Sequence, residues 1–584
     1  MTAPATATNG SSDRRTTYRR RLYAPFSTGA WSVGLVFGWM SLYPTLLPRA
    51  AVIQGVITAL STAIGLAIGT LLAWIIRSGW TVSKRSVPSL PRRIGRNAVL
   101  GLTVLALVVG LPWWLIRQNA QRELVAMERI GATSIIVVVL VSLVLGAVLV
   151  TIGRSVAELV RRLDRRIVGY LPRWAAFVVT ALIVVTVGAT VSQRVVWSGF
   201  VDWANSVYGT FDTGTPPGIE QPTTPLRSGG PGSLVAWDTL GYEGRNFAGG
   251  GPTAVEIAAF VGPGRTVTEP IRAYVGIDSV GLPSDSPDLP SAQADRAVAE
   301  LDRAGAWNRS VLAVVTVTGT GWVDPWFAAG LEYMNAGDTA IVATQYSFLP
   351  SWISFLVDLD KAAASGRATV DAVVSKWRTL PVDDRPRLII DGISLGTYGS
   401  EHAFDGPTLA DSVGTALTDA DGVLYAGPTF ANPIWWQVVD GREPSSPVWR
   451  PVVGGGLRVT AMNPPGAADG SSDAGGGRLP GRNMVYLTQP SDPVTWSSVS
   501  ALWSTPRWMR GPRGYDVPTD TQWFPVVTFV QQLFDLMAGF STPPGHGHNY
   551  NASIVEGTAA VAAPDGWTAA DSARLTDLLT ATQP

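Results

Sequence analysis

Apolar and polar positions alternate in two different rhythms along this chain. Up to about residue 196 the apolar residues come in long runs, at 31–48, 51–76, 98–116, 134–153 and 174–195. A helix of about 20 residues, rising 1.5 Å each, crosses the ~30 Å hydrocarbon core of a bilayer. The second, fourth and fifth runs reach that length with almost no charge. The first is short and interrupted by Pro44 and Pro48, which makes it the least secure. The pattern predicts an α-helical membrane domain of about five spans over residues 31–196. Residues 1–30 form a polar tail with Arg14, Arg15, Arg19, Arg20 and Arg21. Long apolar runs keep recurring after the tail, so it reads as a basic cytoplasmic segment, not a cleaved leader.

Charge in the loops sets an orientation. Arg77, Lys84, Arg85, Arg92, Arg93 and Arg96 fill 77–97, and Arg154, Arg161, Arg162, Arg165, Arg166 and Arg173 fill 154–173. In 117–133, Arg117, Arg122 and Arg129 are offset by Glu123 and Glu128. Positive loops stay in the cytoplasm. With five spans, everything beyond 196 falls on the extracytoplasmic face of a multi-pass cell-membrane protein, and the bilayer is its first expected partner.

Residues 205–235 are rich in Gly, Pro and Thr and read as a linker. Over 236–584 the rhythm changes to short apolar bursts between stretches of helical period. Strands are predicted at 271–277, 311–318, 340–345, 387–391, 422–426 and 484–488. Helices are predicted at 292–304, 326–335, 352–364, 369–379, 526–537 and 568–580. Such alternation predicts an α/β domain with a mostly parallel sheet and helices on both faces. Its ligands belong at the carboxyl ends of the strands. Residues 430–482 break the rhythm with Trp435, Trp436, Trp449 and two glycine triplets. They read as an insertion, either a lid with tryptophans facing an acyl chain or the membrane interface, or a packed loop with tryptophans in the core.

Composition narrows the chemistry. Lys plus Arg and Asp plus Glu are both 44, so there is no nucleic-acid footprint. There is no cysteine, which excludes disulfides, thiolate metal sites and a cysteine nucleophile. With only three histidines a metal site is not expected, and no cofactor motif is present.

The predicted strand ending at Asp391 runs into Gly392-Ile393-Ser394-Leu395-Gly396 and then a helix-compatible stretch. Strand, Gly-x-Ser-x-Gly and helix make a nucleophile elbow, in which a strained turn lifts the serine hydroxyl clear of the sheet. Serine needs a base, and the base needs an orienting group. The chain order expected after Ser394 is acid, then histidine. Asp492, in Gln489-Pro490-Ser491-Asp492-Pro493, follows the next-to-last strand, where the acid belongs. His402 lies on the helix leaving the elbow and points away from its tip. His546 and His548 share the loop Gly545–Tyr550; His548 is favoured as the base and His546 is the alternate. Two N–H donors must hold the oxyanion. One is Leu395, after the nucleophile, and the other is Thr320 or Gly321 in the loop after strand 311–318.

These motifs, with Val315–Trp322 and Gln345–Trp352, resemble the actinobacterial membrane-anchored α/β-hydrolase family, which joins an N-terminal multi-span domain to a C-terminal hydrolase domain. The resemblance implies a serine hydrolase and supplies no substrate. The expectation is an esterase or lipase acting on an acyl ester, an envelope lipid in particular, through acyl-Ser394. Two alternatives stay open. One is an acyltransferase using the same triad. The other is a non-catalytic scaffold or transport accessory, which the nearly uncharged spans do not favour.

Overall fold

The computed structural model describes residues 26–82, 92–167, 197–464 and 477–583, with 186, 190 and 194 singly. The chain forms two compact units. The first holds residues up to Ser198 together with 499–505 and 520–535, and the second holds 199–498, 506–519 and 536–584.

In the first unit, three helices among the described residues are long and apolar enough to cross a membrane: Ala51–Ile76, Ile94–Leu124 and Thr133–Val160. Among the described residues this is fewer than the five expected. The first predicted run gives a helix of only 13 residues, Thr28–Met40, which ends at Ser41 before Pro44 and Pro48. At 1.5 Å per residue it is about 20 Å long. The fifth run falls almost wholly outside the described residues. The middle helix carries a π-turn at Ala106–Gly110, just before Pro112. Proline has no N–H to return to the preceding turn, so the backbone widens there.

Small residues bring the Thr28–Met40 and Ala51–Val82 helices together. A Cβ on Gly65 would lie 2.9 Å from Gly34 Cα, one on Gly69 2.7 Å from Ala30 Cα, and one on Gly38 2.6 Å from Thr62 Oγ1. Gly34/Gly38 and Gly65/Gly69 are two Gly-x-x-x-Gly pairs, the spacing that lets helix backbones approach. Beyond Met40 the chain folds into a polar cluster. Arg49 bonds Asp535 at 3.3 Å and Gln54 at 3.2 Å, and its backbone N–H donates to Gln118 at 2.8 Å. Gln531 donates to the carbonyls of Ser41 and Tyr43. Residues 520–535, assigned to the catalytic domain on sequence, are thus part of the first unit.

The second unit is built on seven parallel strands: β1 Ile271–Val275, β2 Val311–Thr316, β3 Thr339–Thr344, β4 Arg387–Ile393, β5 Gly422–Ala426, β6 Val459–Met462 and β7 Asn483–Leu487. Their order is β1-β3-β2-β4-β5-β7-β6. Five of them, β1, β2, β3, β5 and β7, are buried along their whole length, as strands covered by helices on both faces must be. The sequence missed β6, whose four residues sit in the glycine-rich insertion. The expected break between helices at 352–364 and 369–379 moves to Asp358, which separates Ser351–Val357 from Leu359–Thr379.

The Gly/Pro/Thr stretch is not an open linker. It starts as the helix Ser198–Asp212, and residues around Arg227 then pair along the β1 edge. The Ser228 N–H donates to the Arg272 carbonyl at 2.9 Å, and Arg227 bonds Glu269 at 2.9 Å. The edge is thereby covered. In the insertion, Trp435 is fully buried against Tyr486 and Trp496, with ring centroids 5.1 and 5.8 Å away. Trp436 lies under Arg507 and donates to the Phe430 carbonyl. The packed-loop alternative describes these two tryptophans.

Candidate active site

β4 ends in the elbow. Ser394 has φ 55° and ψ −123°, a conformation that side chains rarely adopt. The turn is held by the Ser394 N–H donating to the Ala426 carbonyl at 2.9 Å and Thr397 N–H to the Ser394 carbonyl at 3.0 Å. Its tightness is why glycine flanks the serine. A Cβ on Gly396 would stand 2.0 Å from the Thr316 carbonyl oxygen, and one on Gly392 2.7 Å from the Gly396 carbonyl carbon. The helix Leu395–Glu401 leaves the turn, so the Leu395 N–H lies in its first, unpaired turn.

β7 delivers the acid. Asp492 caps the short helix Pro493–Trp496, its Oδ1 accepting from the Val494 N–H at 2.8 Å. Its Oδ2 accepts from Thr495 Oγ1 at 3.0 Å, Tyr550 Oη at 2.8 Å and the His548 ring at Nδ1, 2.7 Å away. Asp492 and His548 are both buried. With Nδ1–H committed to the carboxylate, the other ring nitrogen, Nε2, is the basic one, and it has no hydrogen-bond partner among the described residues. His548 and Ser394 line one cleft of about 350 Å³, with Thr318, Thr320, Trp322 and Phe540. Phe540 sets its ring edge-to-face on His548, centroids 4.8 Å apart.

The other sequence candidates separate. His402 bonds the Tyr398 carbonyl one turn back on its own helix. His546 pairs with a different carboxylate: its Nδ1 is 3.0 Å from Asp516 Oδ2, which also accepts from Ser491 Oγ at 2.5 Å. Ser491 Oγ in turn accepts the Gly547 N–H at 2.8 Å. Ser491, Asp516 and His546 therefore tie the acid loop to the histidine loop. Burial pushes the Asp516 carboxyl up, against the pull of its His546 and Ser491 bonds. Sequence reasoning missed this tie, because Asp516 lies 30 residues before His546 with no motif between them. It also gave Tyr550 no role beyond being the aromatic two residues after His548. Of the two oxyanion candidates in the β2 loop, the Gly321 N–H is spent on the Thr318 carbonyl at 3.0 Å. Thr320 lines the cleft.

Beneath the elbow lie buried carboxyls the sequence did not single out. Burial raises Asp391, three residues before Ser394, well above the carboxylate range, and the charge of Asp324 adds to it. Burial also lifts Asp324 to about 6. Glu401, at the end of the nucleophile helix, is pushed up to about 7 by burial, although Ile434 N–H, Trp435 N–H and Tyr486 Oη all donate to it. No group of residues able to hold a metal ion occurs among the described residues.

No curated protein and no solved structure matches the chain. A family model described as "Alpha/beta-hydrolase family N-terminus" matches residues 42–252. The model described as "Alpha/beta-hydrolase family" matches residues 271–575, from the first residue of β1 to beyond the histidine loop. The parallel sheet, the strained serine turn after β4 and a match over more than half its length agree: the chain belongs to the alpha/beta-hydrolase family, and that membership supports a hydrolase.

Proposed function

We propose that this protein is a membrane-anchored serine ester hydrolase that cleaves an acyl ester, in particular of an envelope lipid, on the extracytoplasmic face. The observation that carries the reading is the cleft that Ser394, in a strained turn, shares with a buried His548 already bonded to Asp492. His548 Nε2 takes the Ser394 proton as Oγ bonds the ester carbonyl carbon. The oxyanion is held by the N–H groups of Leu395 and the Thr320 loop. The carbon–oxygen bond to the alcohol then breaks, and His548 returns the proton to the leaving alkoxide. Water, deprotonated by the same nitrogen, attacks acyl-Ser394 and releases the acid. Asp492 holds the imidazole in the required tautomer through its bond to Nδ1. Anchoring is supported by the three long apolar helices. A lipid substrate is supported by the apolar Trp322, Ile393 and Phe540 in the cleft.

A fluorophosphonate probe tests the reading, since it reacts only with a serine that has both a working base and an oxyanion hole. The purified protein is expected to label at Ser394. Ser394→Ala is expected to abolish labelling with little change in melting temperature, because alanine removes one oxygen and keeps the backbone. A folded wild-type protein that does not label would remove the hydrolase reading.

A further inference from the structure

The helix Ser198–Asp212 is apolar on two sides. Phe200, Ala204 and Tyr208 pack into a small core with Phe348, Leu349 and Ile353. The other side turns outward, leaving Trp203 57% exposed. The helix Ser351–Val357 repeats the arrangement. Ile353 is buried, while Trp352 is 54% and Leu356 56% exposed. Phe200 joins the two, its ring 5.9 Å from Trp203 and 6.3 Å from Trp352. Leu356 follows Trp352 by one helical turn. The result is one apolar patch, and contiguity of this kind marks an interaction surface where isolated exposed residues would not.

Its chemistry and its place in the chain identify the partner. Tryptophan, an apolar ring with one N–H, concentrates at the headgroup level of membranes. Neither helix carries a lysine or arginine, so attraction to acidic groups does not drive the contact. The helix starts at Ser198, three residues after the apolar run 174–195. Three residues span at most about 10 Å, which keeps the patch at the bilayer surface if that run crosses it. We propose that Phe200, Trp203, Trp352 and Leu356 seat the catalytic unit on the outer surface of the bilayer, at headgroup depth. The contact rests on the membrane-anchored reading above. It also defines the substrate class. Trp352 directly follows Ser351, which lines the catalytic cleft, so the cleft is held where an ester embedded in the bilayer can enter it.

The absence of cysteine makes the test direct. Trp203→Cys and Leu356→Cys are labelled with the fluorophore NBD in the full chain, in nanodiscs of zwitterionic lipid. Leu143→Cys, in the Thr133–Val160 helix, reports bilayer insertion. Val382→Cys, 75% exposed beside the amino end of β4, reports a solvent-facing position. Lipids with a nitroxide near the headgroup are expected to quench positions 203 and 356 several-fold more than 382, while aqueous iodide quenches 382 more. Replacing part of the zwitterionic lipid with anionic lipid is expected to leave the difference unchanged. If 143 is quenched but 203 and 356 behave like 382, docking is overturned while anchoring stands, and the patch serves a protein partner. If 143 also escapes, anchoring fails and docking with it. Leu356→Cys keeps both tryptophans, so the outcome does not depend on Trp203→Cys folding.

Discussion

Asp492 accepts four hydrogen bonds, from Val494, Thr495, Tyr550 and His548. That concentration is why we propose His548, and not His546, as the base. His548→Ala is expected to lose on the order of 10⁶ in kcat, as loss of the base does in a serine triad. His546→Ala should lose far less, since it loosens a tie between loops and removes no proton acceptor; equal losses at both positions in an ester assay would overturn the assignment. Asp492→Asn should fold and lose about 10⁴, because the amide favours the wrong tautomer. The closeness of Asp492 to His548, and the cleft that His548 shares with Ser394, were legible because the elbow has a local signature and its expected partners follow in a fixed order. Which N–H near Thr320 is free was not legible, because that depends on the turn that spends the Gly321 N–H on Thr318. Glu401 was invisible too, as its burial comes from Ile434, Trp435 and Tyr486, far along the chain. With its folded pKa raised to about 7 from an ordinary 4.5, the neutral form is the one the fold prefers. Its contribution to stability is complete below the unfolded value and is lost as pH rises through 7. Wild-type stability relative to Glu401→Gln should therefore fall between about pH 5 and pH 8. A difference in melting temperature that does not vary with pH would contradict the burial argument.

At the scale of elements, strands were read well and helix ends poorly. Six of the seven strands announce themselves as short runs of β-branched and apolar residues that must be buried on both faces. β6 does not, because four residues within glycine-rich sequence carry too little pattern. In the first unit, hydropathy counted residues and not helix ends, so Thr28–Met40 and the turns after it passed for a span. The better signal was there as Gly34/Gly38 facing Gly65/Gly69, a spacing that speaks of helix contact and not of crossing. Nor could the sequence show that residues 520–535 fold with the first unit, because that depends on one partner nearly five hundred residues away. Arg49 and Asp535 are both buried, and each leaves an uncompensated charge if the other is removed. Arg49→Ala or Asp535→Ala should each destabilise the protein by about 3–5 kcal/mol, while the pair replaced together by Met and Leu should recover much of the loss. Additive losses in thermal unfolding would mean that the two side chains act independently.

At the scale of the whole molecule, the extracytoplasmic side we propose for the catalytic unit can be tested without counting spans. The Thr28–Met40 helix runs antiparallel to Ala51–Val82, since Ala30 faces Gly69 while Gly38 faces Thr62. Thr28 also meets Gly95, and Phe26 meets the Arg154 guanidinium at 4.3 Å. Phe26, Thr28, Gly95 and Arg154 thus lie together at one end of the first unit. The opposite end carries Ser41–Arg49, Gln118 and the segment 520–535. In the topology we propose, retention of positive charge in the cytoplasm would put the first end inside and the second outside. The chain enters 520–535 from residue 519 and leaves it at 536, both in the second unit. Alkaline phosphatase fused after residue 210, which folds only outside the cytoplasm, should therefore be active, and the same enzyme inserted within 83–91 should be inactive. Activity of the second fusion together with silence of the first would invert the topology and place the hydrolase in the cytoplasm.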